Sequence, residues 1–64
     1  MFEIKLRTEG AAFDGTAPQE VARILRKIAD RLDSDEWDGY DKYQTVLDLY
    51  GNDCGRWKLA PEER

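Results

Sequence analysis

Residues 16–33 carry a helical repeat of apolar side chains, which constrains the fold of this chain more than any other feature. The repeat has spacings of three and four residues and consists of Val21, Ile24, Leu25, Ile28 and Leu32. Thr16 and Gln19 have the spacing of a capping box, and Pro18 suits a first helical turn. The sequence therefore predicts an amphipathic helix over residues 17–33, and a second layer must cover its apolar stripe.

Alternating residues before this helix predict one strand of that second layer. Within residues 2–7, one face carries Phe2, Ile4 and Leu6, and the other carries Glu3, Lys5 and Arg7. This period of two is typical of a half-buried strand. Phe13, in the connection to the helix, is predicted to anchor that connection in the core.

Residues 43–59 predict a β-hairpin that completes the sheet. Alternation assigns two faces to its first strand, an inner face with Tyr43, Thr45, Leu47 and Leu49 and an outer face with Gln44, Val46, Asp48 and Tyr50. The glycine-rich residues 51–55 predict the turn, and the second strand follows with Trp57 and Leu59 inward. Matching the inner faces requires an odd number of loop residues, as in a three-residue loop with a glycine bulge.

The order strand, helix, strand, strand predicts an α+β fold. It is a two-layer β-α-β-β domain with one amphipathic helix on a three-stranded, mainly antiparallel sheet. Placing the last strand in the middle makes both neighbouring pairs antiparallel and puts Trp57 beneath the helix. A chain of 64 residues is near the lower limit for folding alone, which indicates a single domain. Its predicted parts are a strand 2–7, a helix 17–33, an acidic connection 33–42, a hairpin 43–59 and a frayed tail 60–64.

Negative charge is concentrated in residues 30–41. This segment has six acids and one base, a local charge of −5, whereas the whole chain carries −4, so the remainder sums to +1. Two interpretations stay open: a solvated linker that keeps the protein soluble, or an acidic surface that binds a basic partner. The second assigns partner binding to Asp30, Asp33, Asp35, Glu36, Trp37, Asp38, Tyr40 and Asp41.

Trp37 also has two interpretations. Its ring folds back to close the end of the core below Leu32, or it is exposed as an anchor in an interface, where Trp, Tyr and Arg contribute most of the binding energy. The two can hold for different aromatic residues, since Tyr40 and Tyr43 lie close by in the sequence.

Catalytic, cofactor and metal sites are not predicted. The chain has no histidine, so the usual general base and transition-metal ligand is missing, and Ser34 and Cys54 lack a histidine partner. Cys54 is expected to be a tolerated small residue in the hairpin turn. An EF-hand loop starting at Asp33 fails because Trp37 and Gln44 would occupy ligand positions 5 and 12. Loose calcium binding by the acidic residues stays an alternative.

Composition also limits the expected compartment and partners. The alternating N-terminus lacks the continuous apolar stretch of a signal peptide, and no apolar run reaches the ~18 residues of a membrane span, which predicts a cytoplasmic protein. A single cysteine agrees with a reducing compartment. Net negative charge favours a basic protein partner and disfavours direct binding to nucleic acid or anionic membranes. A monomer is expected.

Three segments of the chain resemble a group of very small phage and mobile-element proteins of Gram-negative bacteria: residues 2–8, 20–32 and 51–57. The group shares a strand, a helix and a Gly-Asn-x-x-Gly-x-Trp hairpin, which Gly51 to Trp57 match. Some small acidic proteins of this kind are anti-CRISPR inhibitors, and the size and acidity here resemble an inhibitor of a type I-C Cascade complex. The shared motifs are structural, so the resemblance assigns no site residue.

Two functions stay open at this level. The resemblance implies a phage-encoded anti-CRISPR inhibitor that acts as an acidic DNA mimic. Its partner would be a basic nucleic-acid-binding protein, a CRISPR effector subunit in the bacterial host cell, whose DNA/PAM-binding surface it occupies. The alternative is a small non-enzymatic interaction or adaptor module, which binds a protein partner or itself through its sheet while the acids confer solubility.

Overall fold

The computed structural model describes residues 1–34, 37 and 39–61. Its elements are β1 (Phe2–Leu6), a 3-10 turn (Ala11–Phe13), α1 (Ala17–Leu32), β2 (Gln44–Leu47) and β3 (Asp53–Leu59). The strands form one sheet in the order β1-β3-β2, and both neighbouring pairs are antiparallel. This arrangement confirms the predicted α+β fold and the central position of the last strand.

The core lies between α1 and the inner face of the sheet. It consists of Ala12, Phe13, Ile24, Ile28, Val46, Cys54 and Trp57. Trp57 is 2% exposed and lies on β3 opposite Ile4 of β1 and Gln44 of β2, so both edge strands flank it. Phe13 is buried as predicted and brings the connection before α1 into the core. A single central tryptophan thus joins the helix to all three strands.

The helix occupies the predicted region, but its start is capped differently. The Thr16 side chain makes no capping hydrogen bond. Its hydroxyl instead donates to the carbonyl oxygen of Ala12 at 3.4 Å, and the N–H of Glu20 closes the first helical turn on the Thr16 carbonyl at 3.0 Å. The predicted capping box is therefore wrong, because the hydroxyl is turned toward the preceding 3-10 turn.

The buried face of α1 is rotated relative to the predicted stripe. Ile24 and Ile28 are buried and Val21 and Leu32 pack against the core, whereas Leu25 is 44% exposed. Glu20 occupies a buried position at the start of the same face. Its carboxylate accepts a hydrogen bond from the N–H of Leu49, which fixes this polar residue against the hairpin.

The predicted face assignment of β2 is wrong. Val46 is opposite Gly55 and Gln44 is opposite Trp57, and residues directly opposite each other share a face of the sheet. Val46 is therefore inside and 6% exposed, whereas Leu47 is 54% exposed. A register shift between Val46 and Leu47 ends the regular ladder at this point.

The hairpin turn begins earlier than predicted. The N–H of Asp48 donates to the carbonyl oxygen of Asn52 at 2.9 Å, which encloses a three-residue loop of Leu49, Tyr50 and Gly51. Gly51 has φ 81°, a left-handed conformation that glycine adopts without a steric cost. The predicted loop length therefore holds, but residues 53 to 55 belong to β3 and not to the turn.

Asp48 explains why the turn starts there. It was expected on the outer sheet face, yet it is buried, and its Oδ1 accepts hydrogen bonds from the N–H groups of Tyr50 at 2.9 Å and Asn52 at 3.0 Å. An aspartate that accepts from the backbone two residues on is a common turn device. The side chain therefore ends β2 and initiates the loop.

The two ends of the chain are tied together beside the sheet. β1 ends one residue earlier than predicted, although the N–H of Arg7 still donates to the carbonyl oxygen of Cys54 at 2.6 Å. The N–H of Ala60 donates to the carbonyl oxygen of Met1 at 2.9 Å, so the predicted fraying does not begin at residue 60. The last part of that predicted tail, residues 62–64, lies outside the described residues.

Candidate functional site

Trp37 fixes the middle of the acidic connection to the core. Its ring stacks on that of Trp57, with centroids 5.8 Å apart and an interplanar angle of 22°, and makes an edge contact with Tyr40 at 4.7 Å. The side chain is half-buried against the core cluster, and its Nε1 is buried without a hydrogen-bond partner among the described residues. The structure thus confirms that Trp37 closes the end of the core, and a role in partner binding stays a prediction.

Backbone hydrogen bonds hold both ends of the connection. At its start, the N–H of Asp33 donates to Ala29 at 3.0 Å and ends α1. At its end, the N–H of Asp41 donates to the carbonyl oxygen of Leu59 at 3.0 Å, which ties it to the last residue of β3. Asp41 has φ 63°, a conformation in which Asp and Asn are enriched among non-glycine residues.

Gly39 allows the connection to approach the aromatic cluster closely. A Cβ atom built at this position would lie 2.8 Å from Nε2 of Gln44 and 3.3 Å from the ring of Trp37. A side chain here would displace the amide of Gln44 and press against the Trp37 ring, which would have to move by a few tenths of an ångström. The glycine, Trp37 and the Asp41 backbone together hold the segment against the end of the sheet.

The described acids of the predicted site are all exposed. Asp30 lies in the last part of α1, Asp33 caps it, and Asp41 precedes β2, and each is open to solvent. Tyr40 is about half exposed beside Trp37. The other predicted residues of this site, Asp35, Glu36 and Asp38, lie outside the described residues. The connection thus presents carboxylates from both of its anchored ends.

A second polar group lies where α1 meets the hairpin turn, and the sequence did not predict it. Arg23 forms two hydrogen bonds with the carboxylate of Glu20, Nε to Oε1 at 2.6 Å and Nη2 to Oε2 at 2.8 Å, and the Leu49 N–H adds a third at 2.8 Å. The Arg23 contact, together with the Leu49 N–H, lowers the pKa of Glu20 despite its burial. Glu20 therefore stabilises the fold at pH values above its usual pKa. This stabilisation is lost as the pH falls through the lowered pKa. All carboxylate contacts are internal, which indicates a structural role.

The surroundings of Cys54 do not activate its thiol, since burial outweighs the opposite effect of the nearby Arg7. Cys54 lies in β3 rather than in the turn, and burial raises the pKa of its thiol, with the carboxylates of Asp48 and Asp53 adding to the effect. A raised pKa keeps the sulfur protonated and unreactive near neutral pH.

Two further observations concern the described residues as a group. No three of their Cys, Asp or Glu side chains are arranged to hold a metal ion. Nor does any helix among them have the length and apolar character needed to cross a membrane.

The outer face of the sheet carries a cationic surface around Tyr43, which the predicted face assignment placed inside. Tyr43 is 53% exposed, and its ring centroid lies 4.8 Å from Cζ of Arg56 and 4.7 Å from Nζ of Lys58. A concavity of about 420 Å³ lies beside it and is bordered in part by Lys5, Arg7 and Arg56. The sequence signal for this surface is the alternation of basic residues in residues 2–7 and 55–59. The register brings the two segments together, because it pairs Lys5 with Arg56.

The fold and its surfaces define a small two-layer α+β protein with one acidic and one basic exposed surface. Comparison of the chain with family models, with curated proteins and with solved structures finds no match. The resemblance to small phage proteins therefore stays a prediction, and a functional argument depends on the two surfaces themselves.

Proposed function

We propose that the chain is a non-enzymatic inhibitor that binds a basic nucleic-acid-binding protein through residues 30–41, which comprise the end of α1 and most of the acidic connection. The partner class is a CRISPR effector of the type I-C Cascade kind, whose DNA/PAM-binding surface the connection occupies in the bacterial cytoplasm. One observation carries the proposal: Trp37 anchors the connection on the core while Asp30, Asp33 and Asp41 are exposed. A flexible solubilising linker would not need that anchor.

The charge of this connection suits a surface that ordinarily binds DNA. Duplex DNA has one negative charge per ~1.7 Å of helix axis, and its protein channels carry Lys and Arg to neutralise the phosphates. Six carboxylates in residues 30–41 offer a short segment of comparable charge density. Because both ends of the segment are hydrogen-bonded to the domain, less conformational entropy is lost on binding than with a free acidic peptide.

Neutralising the three described acids tests this proposal. The variant Asp30→Asn, Asp33→Asn, Asp41→Asn is expected to bind the effector at least ~10-fold more weakly, because close charge pairs across an interface stabilise it. The fold should survive, since all three side chains are exposed and Asn tolerates the positive φ at residue 41. Titration calorimetry against the purified effector, with a circular dichroism spectrum of each variant, measures both effects.

A matched control removes the same charge elsewhere. Glu3, Glu9 and Asp14 are exposed acids outside the connection, so Glu3→Gln, Glu9→Gln, Asp14→Asn changes the net charge equally. This variant should bind like the unmodified protein. Equal weakening in both triple variants would show that binding follows net charge and not this surface.

The adaptor alternative is favoured by a different observation, the exposed Tyr43 between Arg56 and Lys58 on the outer sheet face. A module that binds a protein through its sheet should lose its partner in the variant Arg56→Ala, Lys58→Ala. A charge mimic should keep its partner in the same variant. The two triple variants and this double variant together therefore separate the two functions.

A further inference from the structure

We propose that the outer face of the sheet binds single-stranded nucleic acid, with Lys5, Arg7 and Arg56 contacting phosphates and Tyr43 stacking on a base. This inference goes beyond the proposed function, because it uses the opposite charge and a different surface. This surface, the outer-face platform, consists of Lys5, Arg7, Tyr43, Thr45, Arg56 and Lys58.

The cations of the platform outnumber the carboxylates beside them, which are Glu3, opposite Lys58 in the register, and Asp53, which borders the concavity with Arg7. Lys5 and Arg56 are direct cross-strand partners on β1 and β3, an arrangement in which two like charges repel each other. Within residues 1–34, 37 and 39–61, no carboxylate lies within ion-pair distance of Lys5, Arg56 or Lys58. Arg7 is the exception, since its Nη2 lies 3.5 Å from Oδ1 of Asp53 in an exposed pair. A bound phosphate would relieve the repulsion between Lys5 and Arg56.

Tyr43 favours a nucleic acid over an acidic peptide as the occupant. Its ring is 53% exposed, although Arg56 and Lys58 already lie close to its centroid. Proteins that bind single strands combine a cationic groove with an exposed aromatic side chain on which a base stacks. An acidic peptide needs the cations and not the ring. The ring and the neighbouring concavity thus match a base followed by its backbone.

The net charge of −4 does not oppose this binding strongly, because the charge is divided between two places. Residues 30–41 carry −5 and the rest of the chain +1, as derived from the sequence. The connection is tied to Leu59 at one end of β3, whereas Arg7 and Asp53 lie at the other end of the sheet. A strand that runs from Tyr43 toward Arg7 leads away from the acids, whose field decays over ~8 Å at physiological salt.

Fluorescence anisotropy with a labelled oligothymidylate of ~10 nucleotides tests the platform directly. We expect a Kd of ~1–100 μM at low salt, and a slope of log K against log salt of about −2 for three phosphate contacts. The variant Lys5→Gln, Arg56→Gln and the variant Tyr43→Leu should each bind ~10-fold more weakly. These three side chains are exposed, so the variants should keep the native circular dichroism spectrum.

The control is Lys27→Gln, Arg31→Gln, which removes two exposed cations from α1. It should bind the oligonucleotide within ~2-fold of the unmodified protein, since the helix lies on the other side of the sheet. Equal losses in the two double variants would overturn the proposal, as would no binding by the unmodified protein. If oligoglutamate of equal charge competes as well as the oligonucleotide and Tyr43→Leu has no effect, the platform binds acidic peptides instead. The proposal is then also overturned.

Discussion

Replacing Trp57 with alanine is expected to remove a large part of the domain's free energy of unfolding. The side chain is 2% exposed, lies between both edge strands and stacks beneath Trp37, while Phe2 packs on it at 6.0 Å. Tryptophan-to-alanine substitutions in cores cost ~3–5 kcal/mol. A domain of 64 residues has a free energy of unfolding of only about 3–10 kcal/mol. Urea unfolding followed by circular dichroism measures the loss.

Removal of an exposed aromatic ring is the control for this substitution. Tyr50 lies in the hairpin loop and is largely exposed, so Tyr50→Ala should change the free energy of unfolding by no more than ~0.5 kcal/mol. A Trp57→Ala variant with a native spectrum and an unchanged melting temperature would remove Trp57 from the core. It would also contradict the central position of β3.

The second large effect is expected at β2, where two adjacent residues should respond in opposite ways. Val46→Asp places an unpaired carboxylate in the core beside Ile24, Ile28 and Trp57, and should cost ~3 kcal/mol or more. Leu47→Asp places the same group on an exposed position and should cost less than ~1 kcal/mol. Denaturant midpoints of the two variants give the comparison. A more severe loss in Leu47→Asp would mean that the face assignment predicted from alternation is right.

That pair of residues also shows where sequence reasoning reaches its limit. Strict alternation in residues 43–50 defines two faces but not which of them is buried. The leucines at positions 47 and 49 favoured the wrong one. Asp48 ends the strand, because its side chain accepts hydrogen bonds from the N–H groups of Tyr50 and Asn52. Such a local competition between a turn and a strand is visible only when the partner N–H groups are located.

The helix and the central strand were predictable for a physical reason. A repeat with a period near 3.6 admits one buried stripe, so the bounds of α1 and the burial of Ile24 and Ile28 follow from it. Glu20 was not predictable, because its burial depends on the Leu49 N–H from a loop 29 residues away. The central position of Trp57 was predictable, because only one strand order makes every neighbouring pair of strands antiparallel.

Only the composition of the candidate acidic site could be predicted from the sequence. The charge of residues 30–41 is a property of the sequence, and so is the presence of Trp37 within it. The stacking of Trp37 on Trp57 and the bond from Asp41 to Leu59 depend on the assembled sheet. The basic side chains of the outer-face platform follow from alternation, but its ring does not, because alternation assigned Tyr43 to the inner face with Thr45, Leu47 and Leu49.

Competition with DNA tests the central claim most directly, that the acidic connection occupies a DNA-binding surface. The effector is titrated with labelled target duplex at increasing concentrations of this protein, at ~0.15 M salt where the screening length is ~8 Å. If the account is right, the apparent Kd for the duplex rises in proportion to the protein concentration, and the variant Asp30→Asn, Asp33→Asn, Asp41→Asn loses this effect. An effector that binds the protein and its target duplex together, with undiminished affinity for each, would contradict it.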